Sequence, residues 1–104
     1  MESINSKSKF DDIIKNSEVP VFVKFTASWC GPCKMMIPLI EKASGEFKNI
    51  KFIEVDVDDG DGLPEVYSIS SVPTMIIFKN GKEFDRISGA MPYDNLESFL
   101  KGSL

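Results

Sequence analysis

Two segments near the start of the chain carry hydrophobic positions with different periods. Helical spacing in the first predicts a short amphipathic helix over residues 8–16, with Phe10 and Ile14 on its apolar face. The second, Val21–Phe25, is a nearly continuous apolar run, which predicts a strand covered on both faces, as in a parallel sheet. Residues 2–5 predict a further, weaker strand before these two elements.

The middle of the chain continues the alternation of helix and strand. Apolar positions recur at helical spacing over residues 33–47 and predict a longer helix, which Pro38 should kink. Residues 51–57 largely alternate apolar and charged side chains, which predicts a second strand. A short helix is predicted over residues 63–69, because Pro64 suits a first helical turn.

The last third of the chain predicts a hairpin followed by a helix. Strands over residues 75–79 and 83–88 are joined at Asn80-Gly81, a strong hairpin signal, and apolar positions over residues 96–100 mark the final helix. Strands that alternate with helices indicate parallel βαβ units. We therefore predict an α/β fold, a mixed sheet of about five strands flanked by about four helices, as a single domain over residues 1–104.

The charge is modestly acidic, with 12 Lys+Arg against 16 Asp+Glu and a net charge of −4, which argues against a nucleic-acid binder. Four aspartates in residues 56–61 account for the excess. An EF-hand starting at Asp56 would need Asp or Asn, Gly and Glu where the chain has Gly60, Asp61 and Tyr67. We interpret this segment as a solvated acidic loop in preference to a cation site.

The N-terminal residues 1–6 have neither the basic nor the apolar region of a signal peptide. The longest apolar runs, residues 35–40 and 75–78, are far shorter than the roughly 20 residues that span a bilayer. We therefore expect a cytoplasmic protein in a reducing compartment, where a cysteine pair is more often catalytic or metal-binding than structural.

Cys30 and Cys33 are the only cysteines, and the chain has no histidine, which excludes a four-ligand zinc site built from one chain. The pair falls between the end of a strand and the start of a helix, where free N–H groups and the helix dipole stabilise a thiolate. Cys30 should therefore be the exposed attacking sulfur, and Cys33 should resolve the mixed disulfide. Three alternatives stay open: a metal bridged by two chains, a purely structural disulfide and an inert pair in a binding module.

The segment Trp-Cys-Gly-Pro-Cys-Lys at residues 29–34 resembles the active site of the thioredoxin family. Other matching features follow in order over essentially the whole chain: Pro38, Val72-Pro73-Thr74, Phe78–Gly81 and Gly89. The resemblance implies the thioredoxin fold and a protein-disulfide reductase that needs no bound cofactor or metal and is a monomer. It also implies two kinds of partner: an NADPH-dependent flavoprotein thioredoxin reductase, and substrates such as peroxiredoxins or other thiol-dependent reductases.

The resemblance further implies a substrate-binding surface around the cysteine pair, beside a cis peptide bond before Pro73. The surface would consist of Trp29, Gly31, Pro32, Val72, Pro73, Gly89 and Ala90. Two simpler interpretations remain: Trp29 could belong to the core, and Pro73 could be a trans proline that starts a strand.

One position departs from the family. Thioredoxins usually carry a buried aspartate six residues before the first cysteine, where this chain has Lys24, and many bacterial members carry a lysine where it has Glu54. Our hypothesis is that Lys24 and Glu54 face each other across adjacent parallel strands and that Glu54 takes over proton transfer. The alternative is that Lys24 extends to solvent and Glu54 is an ordinary exposed residue.

Overall fold

The computed structural model describes residues 1–104 and contains one mixed sheet of five strands, in the spatial order β1-β3-β2-β4-β5. In chain order the elements are β1 (Glu2–Ser3), α1 (Lys7–Asn16), β2 (Val21–Thr26), α2 (Gly31–Glu46), β3 (Lys51–Asp56), α3 (Leu63–Val66), β4 (Thr74–Lys79), β5 (Lys82–Ser88) and α4 (Tyr93–Lys101). Strand β3 pairs in parallel with β1 and β2, whereas β4 is antiparallel to β2 and β5. The predicted mixed α/β sheet with four helices is confirmed.

The helices cover both faces of the sheet, because successive side chains of a strand point to opposite sides. On one face, Phe10 of α1 and Leu63 of α3 belong to the same buried cluster as Val23 of β2. On the other face, Met36 of α2 belongs to a cluster with Phe22 of β2, and α4 contributes its apolar side to that cluster. Alternation along β2 therefore places Lys24 on the same face as Phe22, under α2.

Two helices differ in length from their prediction. Helix α2 begins at Gly31, earlier than predicted, because Pro32 occupies the first turn and Cys30 acts as its N-cap. Helix α3 ends at Val66, and the predicted extension to Ile69 is wrong because Ser68 has a φ of 54°, which a right-handed helix cannot contain.

None of the four helices combines the length and the apolar character needed to cross a membrane.

Candidate active site

The cysteine pair lies where the central strand β2 gives way to α2, beyond the carboxyl end of the strand. Cys30 and Cys33 form a disulfide. The backbone N–H of Cys33 donates a hydrogen bond to the Sγ atom of Cys30, with an N···S distance of 3.1 Å. A thiolate at Cys30 would keep this donor and would face the positive end of the α2 dipole, so the position favours a nucleophilic sulfur.

Both cysteines are buried, and Cys30 is more buried than the sequence suggested. Cys30 is 4% exposed and Cys33 is 1% exposed, so the expectation of an openly exposed Cys30 is wrong. The two residues form a small cluster with Ala27, and Val72 packs against it. A disulfide partner can therefore reach the Cys30 sulfur only along a restricted direction.

That direction is defined by the segment around Pro73. The carbonyl oxygen of Val72 lies 3.7 Å from the Cys30 Sγ atom, and the Val72–Pro73 peptide bond is cis. The N–H of Gly89 donates to the carbonyl oxygen of Pro73 at 2.8 Å, which holds the segment after β5 against it. Val72 and Gly89 are half-buried and Ala90 is exposed, whereas Pro73 is buried, so the proline ring itself offers little accessible surface.

Trp29 lies on the surface beside the pair, with 67% of the residue exposed, so the alternative of a core tryptophan is wrong. Its indole Nε1–H donates to the Oδ2 atom of Asp58 at 2.8 Å. Gly31 and Pro32 are exposed as well. Sequence reasoning missed Asp58 as part of the site, because it interpreted residues 56–61 as a solvated acidic loop without a specific partner.

Three of the four carboxylates of residues 56–61 accept hydrogen bonds from the protein itself. Besides Asp58, the Asp56 Oδ1 atom accepts from the Asp58 N–H at 2.8 Å, and the Asp61 Oδ2 atom accepts from the Lys7 N–H at 2.8 Å. No group of three or more cysteine, aspartate or glutamate side chains is arranged to hold a metal ion. The loop orients Trp29 and caps the start of α1.

Lys24 and Glu54 are directly opposite each other in the parallel register of β2 and β3. The distance from Lys24 Nζ to Glu54 Oε1 is 3.7 Å. The side chain of Lys24 is 4% exposed and that of Glu54 is 29% exposed, so the alternative in which Lys24 extends to solvent is wrong. Glu54 also accepts a hydrogen bond from the hydroxyl of Ser3 at 3.2 Å.

The two charged residues and Cys33 line one open cavity of about 470 Å³, which we call the rear cavity. Its lining is Met1, Lys24, Thr26, Ala27, Ser28, Cys33, Lys34, Ile37, Glu41, Glu54 and Asp56. Cys33 borders this cavity, whereas Cys30 faces Val72 on the other side of the disulfide. The predicted residues therefore divide into a group beside Val72 around Cys30 and a charged group that lines the rear cavity with Cys33.

Comparison with known proteins agrees with this geometry. The thioredoxin family model matches residues 2–102. A thioredoxin of Rickettsia felis is 37% identical over 98 residues, which cover 93% of this chain and 93% of that protein. The chain spans 59% and 58% of the length of two chloroplastic thioredoxins from plants that it also matches.

Solved structures share the fold over almost the whole chain. A thioredoxin of Plasmodium falciparum superposes with a TM-score of 0.93 at 36% identity and covers 100% of both chains. A second structure comes from a study of the thiol resolving mechanism in a yeast mitochondrial 1-Cys peroxiredoxin via glutathione/thioredoxin systems. Its TM-score is 0.91 at 27% identity, with 98% of this chain and 94% of that chain covered.

Proposed function

Because the chain belongs to the thioredoxin family of thiol–disulfide oxidoreductases, we propose that its reduced form is a protein-disulfide reductase, with residues 1–104 acting as one thioredoxin domain. The observation that carries the proposal is the position of the Cys30 sulfur. It caps α2, accepts the Cys33 N–H and is bonded to Cys33 in the oxidised state. A structural crosslink of so short a loop would add little stability, since the entropy it removes from the unfolded chain grows with loop length.

The reaction exchanges two sulfur–sulfur bonds in sequence. The Cys30 thiolate attacks one sulfur of the substrate disulfide, forms a mixed disulfide and releases the other substrate sulfur as a thiolate. The Cys33 thiolate then attacks the Cys30 sulfur, closes the Cys30–Cys33 disulfide and releases the second substrate thiolate. Two electrons pass from the dithiol to the substrate, and the protons lost by the cysteines balance those gained by the substrate thiols.

Substrate would bind over Trp29, Gly31, Pro32, Val72, Pro73, Gly89 and Ala90. The Val72 carbonyl oxygen supports this proposal, because it lies 3.7 Å from the Cys30 sulfur, where an extended substrate chain would be able to donate a hydrogen bond to it. Trp29 and Ala90 add exposed apolar surface, whereas Pro73 is buried and would act by holding the Val72 backbone in place.

Proton transfer from Cys33 is the proposed role of the Lys24–Glu54 pair. Cys33 must lose its proton before it can resolve the mixed disulfide, and Glu54 lines the rear cavity with it and is open to water. The Glu54 carboxylate would accept the proton directly or through a water molecule. We expect Glu54→Gln to change the pH profile of the exchange rate, whereas Glu41→Gln, which lies on α2 and lines the same cavity, should keep the profile of the parent. A Glu54→Gln profile identical to that of the parent would contradict this role.

The partners of this protein are proposed from its membership of the thioredoxin family. We propose recycling by an NADPH-dependent flavoprotein thioredoxin reductase, in a reducing cytoplasmic compartment and as a monomer without a cofactor of its own. Peroxiredoxins are candidate substrates, as are other thiol-dependent reductases. The structural relative from the yeast peroxiredoxin study supports the first of these.

The decisive experiment is a covalent trap in a cell lysate. Cys33→Ser removes the resolving thiol, so Cys30 should stay linked to its substrates and release them only with reductant. The double variant Cys30→Ser with Cys33→Ser is the matched control and should capture none. Absence of linked proteins from the single variant would count against the exchange mechanism.

A non-catalytic docking module is the competing function, and the exposed Trp29 is the feature that favours it. Cys30→Ser separates the two functions. A docking module would retain its partners after this substitution, whereas a reductase would lose all turnover of a disulfide substrate such as insulin.

A further inference from the structure

Lys24 is the only charged residue among the buried residues of the chain, since the other buried polar residues are Thr74 and Ser103. It lies in β2, the central strand, with Glu54 on one side and Met75 of β4 on the other. An ammonium group is costly to remove from water unless another charge compensates it. The charge of the Lys24 ammonium group therefore acts strongly on the groups that surround it.

The compensation by Glu54 is incomplete. The distance of 3.7 Å from Lys24 Nζ to Glu54 Oε1 is longer than a hydrogen bond, so the two groups attract each other without a direct bond. The Glu54 side chain is partly exposed and also accepts a hydrogen bond from the Ser3 hydroxyl, so water and Ser3 stabilise its negative charge as well as Lys24 does. Glu54 therefore offsets the buried charge of Lys24 only in part.

The other charged residues around the rear cavity belong to α2 and β3. Lys34 and Glu41 on α2 are exposed, and Asp56 at the end of β3 is half-buried. Water and salt screen charges at such positions, whereas a buried charge keeps most of its effect on a neighbour. Lys24 is thus the most buried charge on the cavity that Cys33 also lines, and the one that water and salt screen least.

We propose that the Lys24 ammonium sets the reduction potential of the cysteine pair, by stabilising the thiolate charge of the reduced form, chiefly at Cys33. This inference rests on the proposed redox function of the pair. Reduction adds two electrons, breaks the sulfur–sulfur bond and leaves two sulfurs that take up two protons, or one proton where one sulfur stays a thiolate. The disulfide carries no charge, so a nearby cation stabilises only the reduced form and makes the potential less negative.

The two members of the ion pair then act in opposite directions. Lys24→Met removes the cation and should favour the disulfide. Glu54→Gln removes the anion that partly cancels the cation and should favour the dithiol. A purely structural role of the ion pair predicts no such opposition, because loss of either partner would disturb the same contact. Lys24 thus touches no reacting atom of the substrate and acts only by stabilising the negative charge on Cys33.

The experiment measures the thiol–disulfide equilibrium of each full-length variant in glutathione buffers at fixed neutral pH, with the reduced fraction read by alkylation. We expect Lys24→Met to shift the equilibrium about tenfold towards the disulfide, which corresponds to about 30 mV for a two-electron couple. Lys24→Arg, which keeps the charge, should stay within about twofold of the parent, where twofold is about 9 mV on the same scale. Glu54→Gln should shift it towards the dithiol.

The ultraviolet absorbance of the thiolate gives a second measurement, since the pH at which it forms should rise in Lys24→Met. An equilibrium of Lys24→Met within twofold of the parent would overturn the proposal. If Lys24→Met does not fold, Glu54→Gln decides alone, and no shift towards the dithiol overturns the proposal. The equilibrium needs no protein substrate, so a parent that fails to reduce protein disulfides refutes the proposed function and leaves this measurement interpretable.

Discussion

Gly60 is the position in the acidic loop where the structure leaves no room for a side chain. It is buried, and a Cβ atom added there would lie 2.9 Å from the Cδ atom of Pro64, 3.0 Å from the carbonyl oxygen of Asp56 and 3.1 Å from the Cγ1 atom of Val55. One of these neighbours is backbone and another is a proline ring, so neither can rotate away. We therefore predict that Gly60→Ala displaces the loop or strains it.

The expected cost is that of overpacking, about 1–3 kcal/mol of unfolding free energy. For a chain of this size, each kcal/mol lowers the melting temperature by about 4–8 °C. Gly45→Ala is the matched control, because nothing lies within 4 Å of its added Cβ atom and it sits in the last turn of α2. Alanine restricts the unfolded chain and suits a helix, so this variant should gain up to about 1 kcal/mol.

Urea unfolding of the oxidised forms measures both effects, with the midpoint giving the change in stability and the slope testing for a common unfolded state. Trp29 fluorescence in the folded protein should also change in Gly60→Ala, because the loop carries Asp58, the acceptor of the indole N–H. A Gly60→Ala midpoint equal to or above that of the parent would refute the steric argument. Equal losses in both variants would show that any alanine destabilises the fold.

Three further changes have defined outcomes. Asp58→Ala frees the indole of Trp29, and we expect a several-fold slower reduction of insulin with a loss of stability below about 1 kcal/mol, since the bond is at the surface; an unchanged rate would remove Asp58 from the site. Phe10→Ala empties a fully buried position and should cost about 3–5 kcal/mol in urea unfolding, and a loss under 1 kcal/mol would contradict its place in the core. Burial and a 2.6 Å hydrogen bond to Glu46 raise the pKa of Tyr93 to about 12. Because the folded state holds this proton more tightly than the unfolded state, the contribution of Tyr93 to folding stability is complete below pH 10 and is lost as the pH rises towards 12. The melting temperature should therefore fall between pH 10 and pH 12, and Tyr93→Phe should make this fall less steep. An equally steep fall in the variant would exclude Tyr93 as its cause.

The order of helices and strands could be predicted because each element carries its own local signal. Hydrophobic periodicity and Asn80-Gly81 located β2, β3 and the hairpin within one or two residues of the observed bounds. Helix α3 was predicted too long, because its end depends on the left-handed backbone at Ser68 and not on any break in the apolar pattern. Local signals therefore specify the existence of elements better than their ends.

The site was predicted in part. The pairing of Lys24 with Glu54 could be anticipated from the resemblance to the thioredoxin family, in which these two positions often carry an aspartate and a lysine, and the parallel register of β2 and β3 places them opposite each other. The bond between Trp29 and Asp58 and the burial of Cys30 could not, because both depend on how separate loops pack together at the end of the sheet. Composition showed the acidic loop but not the direction in which its carboxylates point.

The shortest strand of the sheet holds the carboxylate at the rear cavity. Strand β1 has two residues, and from its end the Ile4 N–H donates to the Glu54 carbonyl oxygen at 2.8 Å while the Ser3 hydroxyl reaches the Glu54 side chain. A two-residue strand at a sheet edge opens far more readily than the central strands. Local opening of β1 thus releases Glu54 without unfolding the protein, so amide hydrogen exchange at Ile4 reports how often the charge opposite Lys24 is free to move.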